Sequence, residues 1–123
     1  MIDWDNIKHF DRAEFDSADL FKSGNNMQPE FIYKLDVARG FSNSPFTINS
    51  GYRTPEHNKK VGGVPGSSHV TGWAADISAT DGSKRFEIIN ALLLAGFNRI
   101  GVAKTFIHVD CQPDKPQNVI WTY

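Results

Sequence analysis

Cysteine is nearly absent from this sequence, since Cys111 is the single example among 123 residues. One cysteine cannot form an internal disulfide, and it cannot supply the several thiolates of a cysteine-based zinc site. Any metal bound here must therefore be held by histidine and carboxylate side chains. Because no base is evidently paired with Cys111, a structural role is expected for it rather than that of a nucleophile.

The sequence also lacks an excess of charge of either sign, because 13 Lys and Arg residues stand against 14 Asp and Glu residues. Without a basic field, neither nucleic acid nor a membrane surface is expected as a partner. No apolar run approaches the roughly 18 residues that a membrane-spanning helix needs. Residues 1–5 have neither the basic region nor the apolar region of a signal peptide. The chain is therefore expected to be made in the cytoplasm and to reach an outside substrate only after release.

The residues that are present suit one compact domain. Hydrophobic residues make up 40% of the chain and aromatic residues 12%, which is enough to fill a core. A length of 123 residues leaves no room for a second domain of similar size. We expect a single, monomeric domain over residues 1–123, in which residues 1–26 wrap around a core formed by residues 27–123.

Hydrophobic spacing predicts an α+β fold. Helical patterns cover residues 29–39, followed by Gly40, and residues 84–95, followed by Gly96. Strands are predicted at residues 46–50, 73–78, 99–103, 106–110 and 118–122. Residues 56–68 are predicted to form a long polar loop. The expected architecture is a mostly antiparallel sheet flanked by helices.

Two histidines are associated with aspartates in segments that otherwise look buried. His69 precedes an apolar strand that contains Asp76, and a buried carboxylate costs roughly several kcal/mol unless a cation or hydrogen-bond donor faces it. In the strand at residues 106–110, alternation puts His108 and Asp110 on one face. Two imidazoles and one carboxylate, with a fourth place for water, are typical of a catalytic zinc site.

Three segments resemble the zinc D-alanyl-D-alanine metallopeptidases. Residues 67–76, SSHVTGWAAD, match in full the family motif S-x-H-x-x-G-x-A-x-D. Residues 48–58, INSGYRTPEHN, are similar to the family's SGYRTPEHN segment, and residues 106–110 to its last metal-ligand strand. The family includes DD-carboxypeptidases, dipeptidases of vancomycin resistance and phage L-alanyl-D-glutamate endolysins, and the hedgehog signalling domain shares its fold.

This resemblance implies that His69, Asp76 and His108 bind one zinc ion. It also implies that Arg53 lies over the metal and donates to the scissile carbonyl oxygen or to a substrate carboxylate. Ser67 could donate to a peptide carboxylate, or it could hydrogen-bond only its own loop.

One departure from the family concerns the general base. Many relatives carry His or Glu two or three residues before the last ligand, whereas Phe106 and Thr105 stand at these positions here. Neither residue accepts a proton at neutral pH. Asp110, on the same strand face as His108, could act as the base, or it could instead orient a ligand histidine. His57 is a further possibility, although a local loop contact is expected for it.

The resemblance implies a zinc peptidase that hydrolyses an amide bond in the stem or cross-link peptides of peptidoglycan. The short chain without a signal peptide is similar to phage endolysins, which reach the wall after the membrane fails. An alternative is a catalytically impaired, zinc-containing module of a wall-binding or phage structural protein. A third possibility is a metal-free domain in which Asp76 pairs with Arg53.

Overall fold

The computed structural model describes residues 1–123 and contains three α-helices and a five-stranded sheet. The helices are α1 (Pro29–Phe41), α2 (Pro55–Lys60) and α3 (Gly82–Leu94), and short 3-10 helices lie at Trp4–Asn6, Arg12–Phe15 and Ser23–Asn26. The strands are β1 (Ile48–Ser50), β2 (Ala74–Ser78), β3 (Arg99–Val102), β4 (Phe106–Asp110) and β5 (Val119–Thr122). None of the helices combines the length and the apolar composition that a membrane span requires.

The strands are arranged in the order β1-β2-β4-β3-β5. All neighbouring pairs are antiparallel except β3 and β5, which run parallel. The predicted α+β class with a mostly antiparallel sheet is therefore confirmed. The central strands β2 and β4 pair along their full length, and this register sets Asp76 directly opposite His108. Directly opposed residues point to the same face of a sheet, so both side chains lie on one side.

The core lies against the other face of this sheet. Ile107 and Val109 alternate with His108 along β4 and are fully buried, as strand alternation predicted. Both long helices and the N-terminal segment supply many of the other large core side chains, which include Phe31, Ile32 and Leu35 of α1, Ile88 and Leu92 of α3, and Phe10 and Phe15. One sheet face is thus occupied by packing, and the opposite face is left for polar side chains.

Several element boundaries differ from the sequence prediction by one or two residues, and two differences have a clear physical reason. Helix α1 continues through Gly40 to Phe41, because a glycine weakens a helix without ending it, and the chain turns to extended geometry only at Ser42. Residues 56–60 of the predicted loop belong to helix α2, which begins at Pro55. Thr54 caps this helix by accepting the His57 backbone N–H at 3.1 Å, and Pro55 occupies its first turn. Both are ordinary helix-start signals, so the prediction of an uninterrupted loop was wrong.

The glycine of the motif at residues 67–76, Gly72, has a backbone conformation and a close contact that other residues would not tolerate. Its φ is +80°, and a Cβ on this residue would lie 2.4 Å from the carbonyl oxygen of Asn26. We therefore expect Gly72→Ala to lower the free energy of unfolding by about 2 kcal/mol or more, measured by urea denaturation. Gly62→Ala is the matched control, because Gly62 has a φ of +78° with nothing within 4 Å of its added Cβ. Equal losses in the two variants would contradict a role for the close contact.

Candidate metal centre and its pocket

His69, Asp76 and His108 are buried together, and one ligand atom from each lies within 4.8 Å of the other two. Asp76 Oδ1 is 3.2 Å from His69 Nε2 and 2.9 Å from His108 Nδ1. Two ligands of a tetrahedral zinc ion, each bonded at about 2.0–2.1 Å, are separated by about 3.3 Å. The three predicted ligands are therefore brought together at distances that suit a shared cation.

Backbone contacts hold the third predicted ligand, His69, in place. The sheet register fixes Asp76 and His108, whereas His69 lies in the turn before β2. The ring Nδ1 of His69 is 2.8 Å from the carbonyl oxygen of Gly51, and its own carbonyl accepts the Arg53 backbone N–H at 3.1 Å. Residues 51–53, which belong to the family-like segment 48–58, thus hold His69 of the motif at residues 67–76.

The hydrogen-bonding chemistry of these rings indicates a cation between them. A carbonyl oxygen only accepts, so Nδ1 of a neutral His69 ring carries the proton, and Nε2 of that ring presents its lone pair to Asp76 Oδ1. His108 has carboxylate oxygens at both ring nitrogens, although a neutral imidazole has one N–H. A cation shared by Nε2 of His69, Oδ1 of Asp76 and Nδ1 of His108 resolves both conflicts. The donor set therefore fits zinc.

Asp110 lies behind His108. Its Oδ2 is 2.7 Å from His108 Nε2, and its Oδ1 accepts from Arg99 Nε at 2.6 Å. The side chain is almost fully buried, and Arg99 is anchored in turn by a hydrogen bond to the Pro116 carbonyl. Of the two roles considered for Asp110, these contacts favour the one that orients a ligand histidine, because both carboxylate oxygens are already engaged.

The pKa shifts of the carboxyl groups agree with these roles. Burial alone would raise the pKa of Asp76, but the two imidazoles beside it, His108 and His69, outweigh burial and hold this pKa below its usual range. Burial likewise opposes ionisation of Asp110, and hydrogen bonds from His108 and Arg99 lower its pKa overall. Both groups are therefore carboxylates at neutral pH. Burial raises the pKa of the Cys111 thiol to about 12, which suits the structural role expected for it.

Arg53 lies beside the predicted metal ligands, and its guanidinium contacts three side chains. These are Ser50 at 3.0 Å, Asn58 at 3.2 Å and Asp76 at 3.4 Å. The contact with Asp76 is the one that a metal-free domain would need. It involves Oδ2, however, and leaves unexplained why Oδ1 faces two imidazole nitrogens.

Ser67 accepts the backbone N–H of His69 at 3.2 Å, so its contact within the loop is observed. Its contact with a substrate stays a prediction. His57 lies on α2 and does not line the pocket over the predicted metal site. Phe106 does line this pocket.

The pocket over the three ligands has a volume of about 470 Å³. Several of its lining residues were not predicted from the sequence, among them Arg99, Lys115, Trp121 and Tyr123. Trp121 lies across β3 with its ring centroid 5.5 Å from that of His108. Gly101, between them in the sheet, makes this possible, because a Cβ there would lie 2.6 Å from Trp121 Nε1. A glycine inside a predicted strand was the one local signal of this close approach.

Similarity to known proteins extends over most of the chain. The family profile described as Peptidase M15 matches residues 8–110. The zinc D-Ala-D-Ala carboxypeptidase of Streptomyces albus G is 39% identical over 56 residues, which are 45% of this chain and 21% of that protein, so this chain covers only about a fifth of its length. The crystal structure of the Serratia marcescens L-Ala D-Glu endopeptidase ChiX has a TM-score of 0.57 at 17% identity and covers 87% of this chain and 93% of its own. This second likeness shows a shared fold.

Proposed function

Because the chain belongs to the peptidase M15 family, which confirms the resemblance seen in its motifs, we propose that it is a zinc-dependent peptidase of peptidoglycan peptides. The observation that carries this proposal is the convergence of His69, Asp76 and His108 below an open pocket. The substrate class is supported by the two relatives, whose names specify a D-Ala-D-Ala and an L-Ala D-Glu substrate bond.

Each residue of the site has a role that its contacts support. Nε2 of His69, Oδ1 of Asp76 and Nδ1 of His108 would hold zinc. When bound, zinc supplies a Lewis acid that polarises a carbonyl group and lowers the pKa of a coordinated water. The Arg53 guanidinium stays charged and donates in a fixed plane, so it would stabilise negative charge that develops on the carbonyl oxygen.

The same proposal assigns Asp110 to the orientation of His108. Asp110→Asn is expected to weaken zinc binding and to lower kcat/KM together, each by about 10–100-fold, because a neutral amide accepts the Nε2–H of His108 more weakly than a carboxylate does. Zinc affinity is measured by competition with a chelator, alongside the kinetics. Asp114→Asn, an exposed change in the following loop, is the control. A fall in activity at unchanged zinc affinity would instead favour Asp110 as the general base.

The function itself is tested with purified, zinc-loaded protein and isolated cell walls. We expect release of new amino termini or of free D-alanine, and complete loss of that release when EDTA is added. Walls of several peptide chemotypes are needed, because the cleaved bond is not specified by the family. The absence of release from every chemotype, at full zinc occupancy, would overturn the proposal.

A catalytically impaired wall-binding module is the second candidate, and one observation favours it. Phe106 lines the pocket where relatives carry a base, and the two carboxylates of the lining, Asp76 and Asp110, are both engaged by other residues. Stable binding to walls without any hydrolysis, at full zinc occupancy, would support this candidate. An endolysin role and a phage origin stay predictions from the sequence.

A further inference from the structure

Lys115 extends into the pocket from the loop between β4 and β5. Its Nζ is 3.0 Å from the carbonyl oxygen of Gly66 and 2.9 Å from Ser68 Oγ. Both partners belong to the loop that leads to His69, so the ammonium group is held at the wall of the pocket that contains the metal ligands. Both partners are also neutral, and neither compensates its charge.

The other two cations of the pocket are paired with carboxylates. Arg53 contacts Asp76 at 3.4 Å, and Arg99 contacts Asp110 at 2.6 Å. Lys115 forms no salt bridge in the structure, in which the side-chain ion pairs involve only arginines and histidines. The lining therefore has one more permanent positive charge than negative charge, and a divalent cation on the three ligands would increase this excess.

An ammonium group has three N–H donors, and the contacts with Gly66 and Ser68 use two of them. The third is free for an anion that enters the pocket. A carboxylate suits this place, since hydrogen bonds between charged partners are about twice as strong as neutral ones. We propose that Lys115 is a specificity residue that binds a carboxylate group of the substrate, an inference that rests on the proposed peptidase function.

The carboxylate could be the C-terminus of the peptide or the side-chain acid of a glutamyl residue, and small ligands separate these sources. Binding to the zinc-loaded full chain is measured by NMR titration with two matched pairs. N-acetyl-D-alanine is compared with its amide, and the α-amide of N-acetyl-D-glutamic acid is compared with that of N-acetyl-D-glutamine. Direct binding makes the test independent of turnover, so a failed wall assay and a failed carboxylate site give different results.

We expect the wild type to bind at least one acid more tightly than its amide, and Lys115→Gln to reduce that acid-to-amide ratio about tenfold or more. Lys115→Arg should retain most of the preference. Lys84→Gln, the same charge change at an exposed position of α3, should leave it unchanged. The pair that responds identifies the source: the alanine pair indicates a C-terminal carboxylate, and the glutamate pair a side-chain acid.

A purely structural role for Lys115 predicts another result. If Lys115 only ties its loop to Gly66 and Ser68, Lys115→Gln lowers the melting temperature and weakens acid and amide binding equally. An unchanged acid-to-amide ratio in both ligand pairs overturns the proposal, whatever happens to stability.

Discussion

Replacing His69 with alanine is expected to abolish peptide hydrolysis and to remove the stabilisation that zinc gives to the fold. The change deletes one of the three proposed ligand side chains. Only the buried residues Asp76 and His108 then remain to bind the metal. Loss of a Lewis acid worth several kcal/mol in the transition state lowers kcat/KM by at least about 1000-fold. Zinc at about 1000 times its dissociation constant stabilises a folded protein by about 4 kcal/mol. The His69→Ala variant should lose this stabilisation.

Zinc content and melting curves with and without EDTA check this result. Wild-type protein should lose stability when the chelator is added, whereas His69→Ala should melt at the same temperature in both conditions. His9→Ala is the matched control, because His9 is an exposed histidine away from the pocket. Full zinc occupancy in the His69 variant, with unchanged stability, would show that the ligand set is not the one described here.

The cluster of His69, Asp76 and His108 was expected from the family resemblance, and local rules support it for the two residues that lie on strands. Strand alternation placed His108 on the other face of its strand from the core side chains Ile107 and Val109. The polar residue Asp76 stood out within an apolar strand. What the sequence could not provide was the pairing of β2 with β4. That register, which sets Asp76 opposite His108, depends on contacts between segments far apart in the chain.

Other parts of the pocket depend on such distant contacts and were missed. Trp121 reaches His108 only because β5 pairs in parallel with β3, an arrangement that no local pattern indicates. Lys115 lies in an irregular loop whose path is set by contacts with residues 66–68. The ambiguity over Asp110 had a similar origin, since alternation gave its face but not its neighbour Arg99.

Arg53 is the residue through which the protein, rather than the metal, would stabilise the reaction. Its backbone N–H is bonded to the His69 carbonyl, and Ser50 and Asn58 hold its guanidinium in one plane next to Asp76. The position of this group is therefore fixed before a substrate enters. Such preorganised donors account for a large part of catalysis by hydrolases.

Arg53→Lys should lower kcat/KM by about 10²–10³-fold while zinc content stays at the wild-type level, because a single ammonium cannot replace the planar fork. Arg85→Lys is the control, since Arg85 lies outside the pocket and bonds the Lys104 carbonyl at 2.7 Å. The kinetic constants also separate the two roles considered for Arg53. A loss confined to kcat indicates a bond to the developing oxyanion, and a rise confined to KM indicates a bond to a substrate carboxylate. If both variants keep full activity, Arg53 has no direct part in the reaction, and its contacts with Ser50, Asn58 and Asp76 serve only to hold the metal ligands in place.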